Sequence, residues 1–227
     1  MRMLVALVML AAMAGACSKS GEPVPRPEGF VDVLDTINRS CADTSNTFEC
    51  AKAVEQYRLG KGVSGVTRVG RRLSLVAKNG MVVDLTDTHD PSAEDYVGYA
   101  YSEYLACFGH HLIHRQMYDT EGYMLVNADT GARTDVPGVP VLAPDCRRLA
   151  VASGLPFAGS VLQVWRLNET GRVVLEWGHQ PDSEWTPGVV VWKSPVLLEL
   201  PYTTADDPGT RRSLVSRLYT DGWHVEP

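Results

Sequence analysis

The sequence has 227 residues, 44% hydrophobic and 21% charged, with a net charge of −6. That is the composition of one globular domain with short additions. A pI near 5.5 gives no electrostatic footprint for nucleic acid and no polybasic patch for a membrane surface, so neither partner is expected through charge.

Met1-Arg2 is a short positive region, and Met3 to Ala16 is an unbroken run of apolar and small residues. The run is shorter than the ~20 residues that cross a bilayer core. Ala14 and Ala16 satisfy the small-x-small cleavage rule, so residues 1–16 are expected to be a secretory signal peptide. Ala14-Gly15-Ala16-Cys17 resembles the lipobox of bacterial lipoproteins, although Ala14 stands where that motif usually has Leu. The resemblance implies an acylated Cys17 and a membrane partner reached through a lipid anchor. Ser18 after the cysteine, rather than Asp, implies delivery to the outer membrane, facing the periplasm. The alternative is a soluble periplasmic protein with a free Cys17. Residues 17–29 hold Pro23, Pro25 and Pro27, which block helix and sheet, and they read as a tether.

Residues 30–62 read as a small helical hairpin. Phe30, Val33, Leu34, Ile37 and Cys41 share one helical face. After a polar turn, a second helix is predicted from Thr47, with Glu49 in its favourable first turn and Gly60-Lys61-Gly62 as its stop. Its apolar face is predicted to hold Cys50, Ala53, Val54 and Tyr57. In an oxidising compartment a Cys41–Cys50 disulfide is the natural pairing, the alternative being two reduced, buried cysteines.

Residues 63–227 change to period two with frequent turns, predicting a mainly β, antiparallel body. Four hairpin-like units are predicted, starting at Arg72, Leu112, Arg148 and Val196. Asn79-Gly80 is the strongest hairpin signal, and Asp129-Thr130-Gly131 is turn chemistry attributed to the Asp and the Gly. Pro140 to Ser153, with its turn Ala143-Pro144-Asp145-Cys146, and then Leu162 to Leu167 resemble a blade of a TolB-type or WD-repeat-like β-propeller. In those blades the turn is often Ser-Pro-Asp-Gly, so Ala143 and Cys146 depart from it. The resemblance implies a propeller-like body, partial or of about four blades, and it implies no activity. An open version leaves strand edges that invite an envelope protein partner or a second copy. Cys107 and Cys146 both precede the first strand of a unit, so a Cys107–Cys146 disulfide is expected if their turns adjoin.

Chemistry is sparse. His110, His111 and His114 form the most suggestive cluster. On a strand His110 and His114 would stand ~13 Å apart, too far for one metal ion, and the plain reading is surface or half-buried histidines on a hairpin. Asp84, Asp87, His89, Asp90, Glu94 and Asp95 make an acidic loop, read either as a solvated turn or as a cation site. No nucleophile elbow and no phosphate-binding glycine loop occur. Trp185 lies in a polar stretch, and with Tyr99 and Tyr101 it is a candidate binding residue. The expected function is binding or scaffolding without a cofactor. The alternative is an envelope enzyme, hydrolase-like or metal-dependent, around His110, His111 and His114.

Overall fold

A computed structural model describes residues 28, 47–90, 92–155, 159–181 and 184–226. The expected signal peptide, Cys17 and the helix expected between Phe30 and Cys41 lie outside the described residues.

The helix α1 (Thr47–Gly60) carries Glu49 in its first turn and Arg58 in its last, which complements the helix dipole at both ends. It stops at Gly62, whose φ of 81° suits only a residue without Cβ. The expected packing face is corrected in part. Cys50 and Val54 are buried as expected, but Ala53 and Tyr57 are exposed, and Ala51, Glu55 and Arg58 complete the covered stripe. The stripe carries charge because the helix packs on the edge of a strand rather than on an apolar sheet face.

Sixteen strands among the described residues form four antiparallel sheets. The first holds β1 (Val66–Val69), β2 (Arg72–Val76) and β3 (Val82–Thr86). The second holds β4 (Val97–Leu105), β5 (His110–Met117), β6 (Glu121–Asn127) and β7 (Arg133–Val136). The third holds β8 (Val141–Leu142), β9 (Arg148–Leu155), β10 (Gly159–Leu167) and β11 (Val173–His179). The fourth holds β12 (Trp185–Pro187), β13 (Val191–Ser194), β14 (Leu197–Thr204), β15 (Asp207–Tyr219) and β16 (Gly222–Glu226). Both β12 and β13 pair with β14, at opposite ends of it, so they act as one broken strand. The last three sheets are therefore meanders of four rungs. They begin at Val97, Val141 and Trp185, each 44 residues after the last (141 − 97, 185 − 141). The four predicted hairpins are β2–β3, β5–β6, β9–β10 and β14–β15.

The sheets stack face to face in chain order. Leu73, Leu75, Val83 and Leu85 of the first meet Tyr101, Ile113, Met124 and Val126 of the second. The opposite face of the second, with Leu112, Tyr123 and Leu125, meets Leu149 and Val151 of the third. The other face of the third, with Leu162 and Val164, meets Leu198, Leu200 and Trp223 of the fourth. This explains the burial patterns. β5 and β6 are buried on both faces, whereas β3 alternates strictly because its sheet is covered on one side only. Among the described residues no core cluster joins the first sheet to the fourth, and the sheets do not close into a ring.

The edge of β4 is closed by charge. Glu55 accepts the Tyr101 N–H at 2.7 Å, Asp87 accepts the Tyr99 N–H at 2.8 Å, and Lys52 and Arg68 both donate to the Tyr99 carbonyl at 2.6 Å. Arg68 holds Glu55 with two parallel bonds of 2.9 and 2.8 Å and reaches Asp87 at 3.2 Å. Arg58 pairs with Glu103. An edge strand that would otherwise template another chain is thus paired with side chains. Gly98 permits the approach, since a Cβ there would lie 2.6 Å from the Phe48 ring of α1.

Candidate functional site

Each of the three β5 histidines is buried, which corrects the expectation of surface or half-buried rings. They do not converge. His110 packs toward the third sheet, and its Nδ1 bonds the Phe108 carbonyl at 2.7 Å. His111 faces the first sheet, with Nδ1 3.2 Å from the Tyr101 hydroxyl and its ring 4.9 Å from that of Tyr104. Burial, and then the neighbouring His110, push the His111 pKa down to about 4, so the ring is neutral at pH 7. Burial also lowers the His110 pKa. His114 places Nε2 3.2 Å from Glu121, and its Nδ1 is buried without a partner among the described residues.

The acidic loop is dispersed as well. Asp84 accepts from Ser74, Asp87 belongs to the α1 network, and Asp90 caps its own turn through Ser92, whose hydrogen bonds lower the Asp90 pKa. Among the described residues no three His, Cys, Asp or Glu side chains gather as a metal site.

The aromatic expectations change most. Trp185 is 3% exposed and belongs to the core between the third and fourth sheets, where its indole N–H donates to the Ser153 carbonyl at 3.1 Å. Tyr101 is fully buried, and Tyr99 is half-buried with both of its backbone groups engaged by the α1 network. These three are architectural residues, not a presented surface. Trp177, Trp192, Trp223 and Tyr202 complete the same aromatic cluster.

The cysteines behave as the turns suggested. Cys107, in the β4–β5 turn, is disulfide-bonded to Cys146, in the β8–β9 turn, with Cα atoms 5.8 Å apart. The bond joins the second and third sheets. Cys50 is also disulfide-bonded; Cys41, its expected partner, lies outside the described residues. Cys146 has φ 56°, the left-handed conformation that a glycine in this turn position would adopt freely.

A concave feature with polar and aromatic lining was not foreseen. A cleft of about 380 Å³ opens between the β5–β6 hairpin, β7 and β10. Trp165 and Gln163 of β10 form one wall, bonded to each other at 3.2 Å. Arg115 and Asp135 lie opposite, paired at 3.0 Å, and the Arg115 Nε is buried without a partner among the described residues. Met117, Val136 and Pro137 supply apolar surface, and Glu121 brings the carboxylate that faces His114. This volume and mixture of a few polar groups on an apolar wall suit a small amphipathic ligand or a partner's side chain. Sequence reasoning missed it because its residues come from separate hairpins, and no local spacing links Arg115 to Trp165. The recurrence of hairpin units was the available signal, since it sets β10 behind β6.

No protein-family model matches the chain, and no curated protein is similar to it.

Proposed function

We propose that the chain is a lipid-anchored protein of the bacterial cell envelope whose body is a partial propeller acting as a binding module, with the Trp165 cleft as its recognition site. The Ala-Gly-Ala-Cys17 motif supports the anchor, and the tether supports a body held off the membrane. The repeated four-rung meanders at 44-residue spacing support the propeller relationship, with four sheets stacked as blades. The observation that carries the binding reading is the cleft itself, with an indole wall and a guanidinium whose Nε has no partner among the described residues. The enzyme alternative needs its histidines and acids to meet around one reacting atom. Here His110, His111 and His114 each face a different partner, which favours binding.

Two arms test this. Cys17→Ser should move the protein from the membrane to the soluble fraction; an unchanged membrane fraction counts against the anchor. A photocrosslinking residue placed at Gln163 in intact cells should give a discrete crosslinked species that Trp165→Ala abolishes. The same probe at exposed Thr210 should give none. Equal crosslinking from both positions would reject the cleft as the recognition site.

A further inference from the structure

The interface between the second and third sheets has a cavity at each end. The Trp165 cleft opens toward the β5–β6 turn. At the opposite end, beside the disulfide-linked turns, lies a smaller cavity of about 120 Å³. His110 and Asn127, both buried, form its floor, and Arg133, Thr134, Asn168 and Arg172 rise around it.

The polar atoms divide sharply. The Asn127 Oδ1 accepts the backbone N–H groups of Asp129 and Thr130, each at 2.9 Å, and the Thr130 hydroxyl at 3.0 Å. Its Nδ2 donates across the interface to the Gly171 carbonyl at 2.9 Å and lies 3.4 Å from the His110 Nε2. The Asn168 Oδ1 is occupied in the same way by the backbone N–H groups of Thr170 and Arg172, at 3.0 and 2.9 Å, and by the Thr170 hydroxyl at 2.8 Å. What enters no hydrogen bond among the described residues is the guanidinium of Arg133, that of Arg172, the Nδ2 of Asn168 and the hydroxyl of Thr134. Three of these are donors only, and the hydroxyl can donate. Two full positive charges come from adjacent sheets. Of the acids in the two flanking turns, Asp129 is held by Lys78 at 2.7 Å and Glu169 is exposed.

A cavity of this size holds roughly four waters' share of volume, so it admits a compact group and not a whole cofactor. Two planar guanidinium forks can engage more oxygens than a carboxylate offers, whereas a tetrahedral oxyanion presents enough for both. We propose that this cavity binds a phosphate-sized oxyanion, either free inorganic phosphate or the phosphate headgroup of a lipid, held by Arg133 and Arg172 with the Asn168 amide and the Thr134 hydroxyl. It shares no lining residue with the Trp165 cleft, so it stands or falls independently of the proposed recognition site.

The test titrates the purified full-length chain with inorganic phosphate and, separately, with vesicles of phosphatidic acid in phosphatidylcholine. The His110 ring and Asn127 side-chain amide resonances are followed by NMR. Saturable shifts are expected, with Arg133→Gln and Arg172→Gln each weakening the apparent Kd about tenfold, the loss of one charge-assisted bond. Both arginines are exposed, so these variants keep the fold, which the unchanged spectrum outside the cavity verifies. Arg211→Gln, exposed on β15, should bind like the parent. A response to phosphate assigns the free anion, and a response to the phosphatidic acid vesicles alone assigns the headgroup. No saturable response to either probe, or an equal loss in Arg211→Gln, overturns the proposal.

Discussion

Cys146 makes two opposing contributions, and they can be separated. The Cys107–Cys146 disulfide closes a loop with a sequence separation of 39, which corresponds to about 4 kcal/mol on the chain-entropy relation. The same residue has φ 56°, a conformation that costs a residue with a Cβ ~1 kcal/mol relative to glycine. The turn around it is tightly specified: the Cys146 N–H bonds the Ala143 carbonyl at 2.9 Å, and Asp145 accepts the Arg147 N–H at 3.0 Å. The double variant Cys107→Ser/Cys146→Ser should therefore unfold in urea with a stability lower by about 4 kcal/mol. Cys107→Ser/Cys146→Gly should recover about 1 kcal/mol of that loss, because it relaxes the turn without restoring the bond. If the glycine variant is no more stable than the serine variant, the left-handed turn is not costing what its φ implies. If the serine variant loses less than ~1 kcal/mol, the apolar core between the second and third sheets holds them together without the covalent link.

Two further perturbations probe buried polar groups. Because the His111 pKa is lowered to about 4 from an ordinary ~6.5, the unfolded chain binds a proton between those values that the folded chain refuses. Stability should thus fall as pH drops from ~6.5 toward 4, by about 3 kcal/mol from this group, with His110 acting in the same direction. His111→Gln should flatten that slope in urea melts across the range, and an identical slope in the variant would refute the assignment. Glu55→Ala removes the acceptor of the Tyr101 N–H and the bidentate partner of Arg68, leaving Asp87 as its one ionic partner among the described residues, so a loss of about 3 kcal/mol is expected by chemical denaturation. A loss near zero would mean that Asp87 alone satisfies the guanidinium.

The hairpins were legible because their information is local. Asn79-Gly80 and the Asp129-Thr130-Gly131 turn sit where the chain reverses, and alternation marks the strands between them. Gly131 takes the positive φ expected of it, 74°, but the side-chain bonding belongs to Asn127, two positions upstream of Asp129. Asn168 does the same ahead of Thr170-Gly171, a repetition that was readable in the sequence. The α1 face was only half legible from hydrophobicity, which found Cys50 and Val54. Its target is a row of backbone N–H and C=O groups, which call for Glu55 and Lys52 rather than for Ala53 and Tyr57. Trp185 misled for a related reason: its neighbours in sequence are polar, but the carbonyl that satisfies its indole belongs to Ser153, in another sheet.

Among the described residues the bonds between the second and third sheets gather at one end of their interface, and this organises both cavities. Lys78 and Asn79 donate backbone N–H groups to the carbonyls of Ala128 and Asp129, tying the first sheet's last turn to the second's. Asn127 donates to Gly171, tying the second to the third, and the Cys107–Cys146 bond reinforces the same pair. At the other end, beside Met117 and Thr120, the second and third sheets separate to form the Trp165 cleft. An interface fixed at one end and open at the other can adjust its cleft to an occupant while the oxyanion cavity keeps its geometry. The two cavities should therefore respond differently to loss of the disulfide. In Cys107→Ser/Cys146→Ser the oxyanion cavity loses its adjacent covalent constraint, so phosphate affinity should fall, whereas crosslinking from Gln163 should persist in whatever fraction remains folded. The reverse pattern would mean that the cleft, not the turn end, depends on the covalent link.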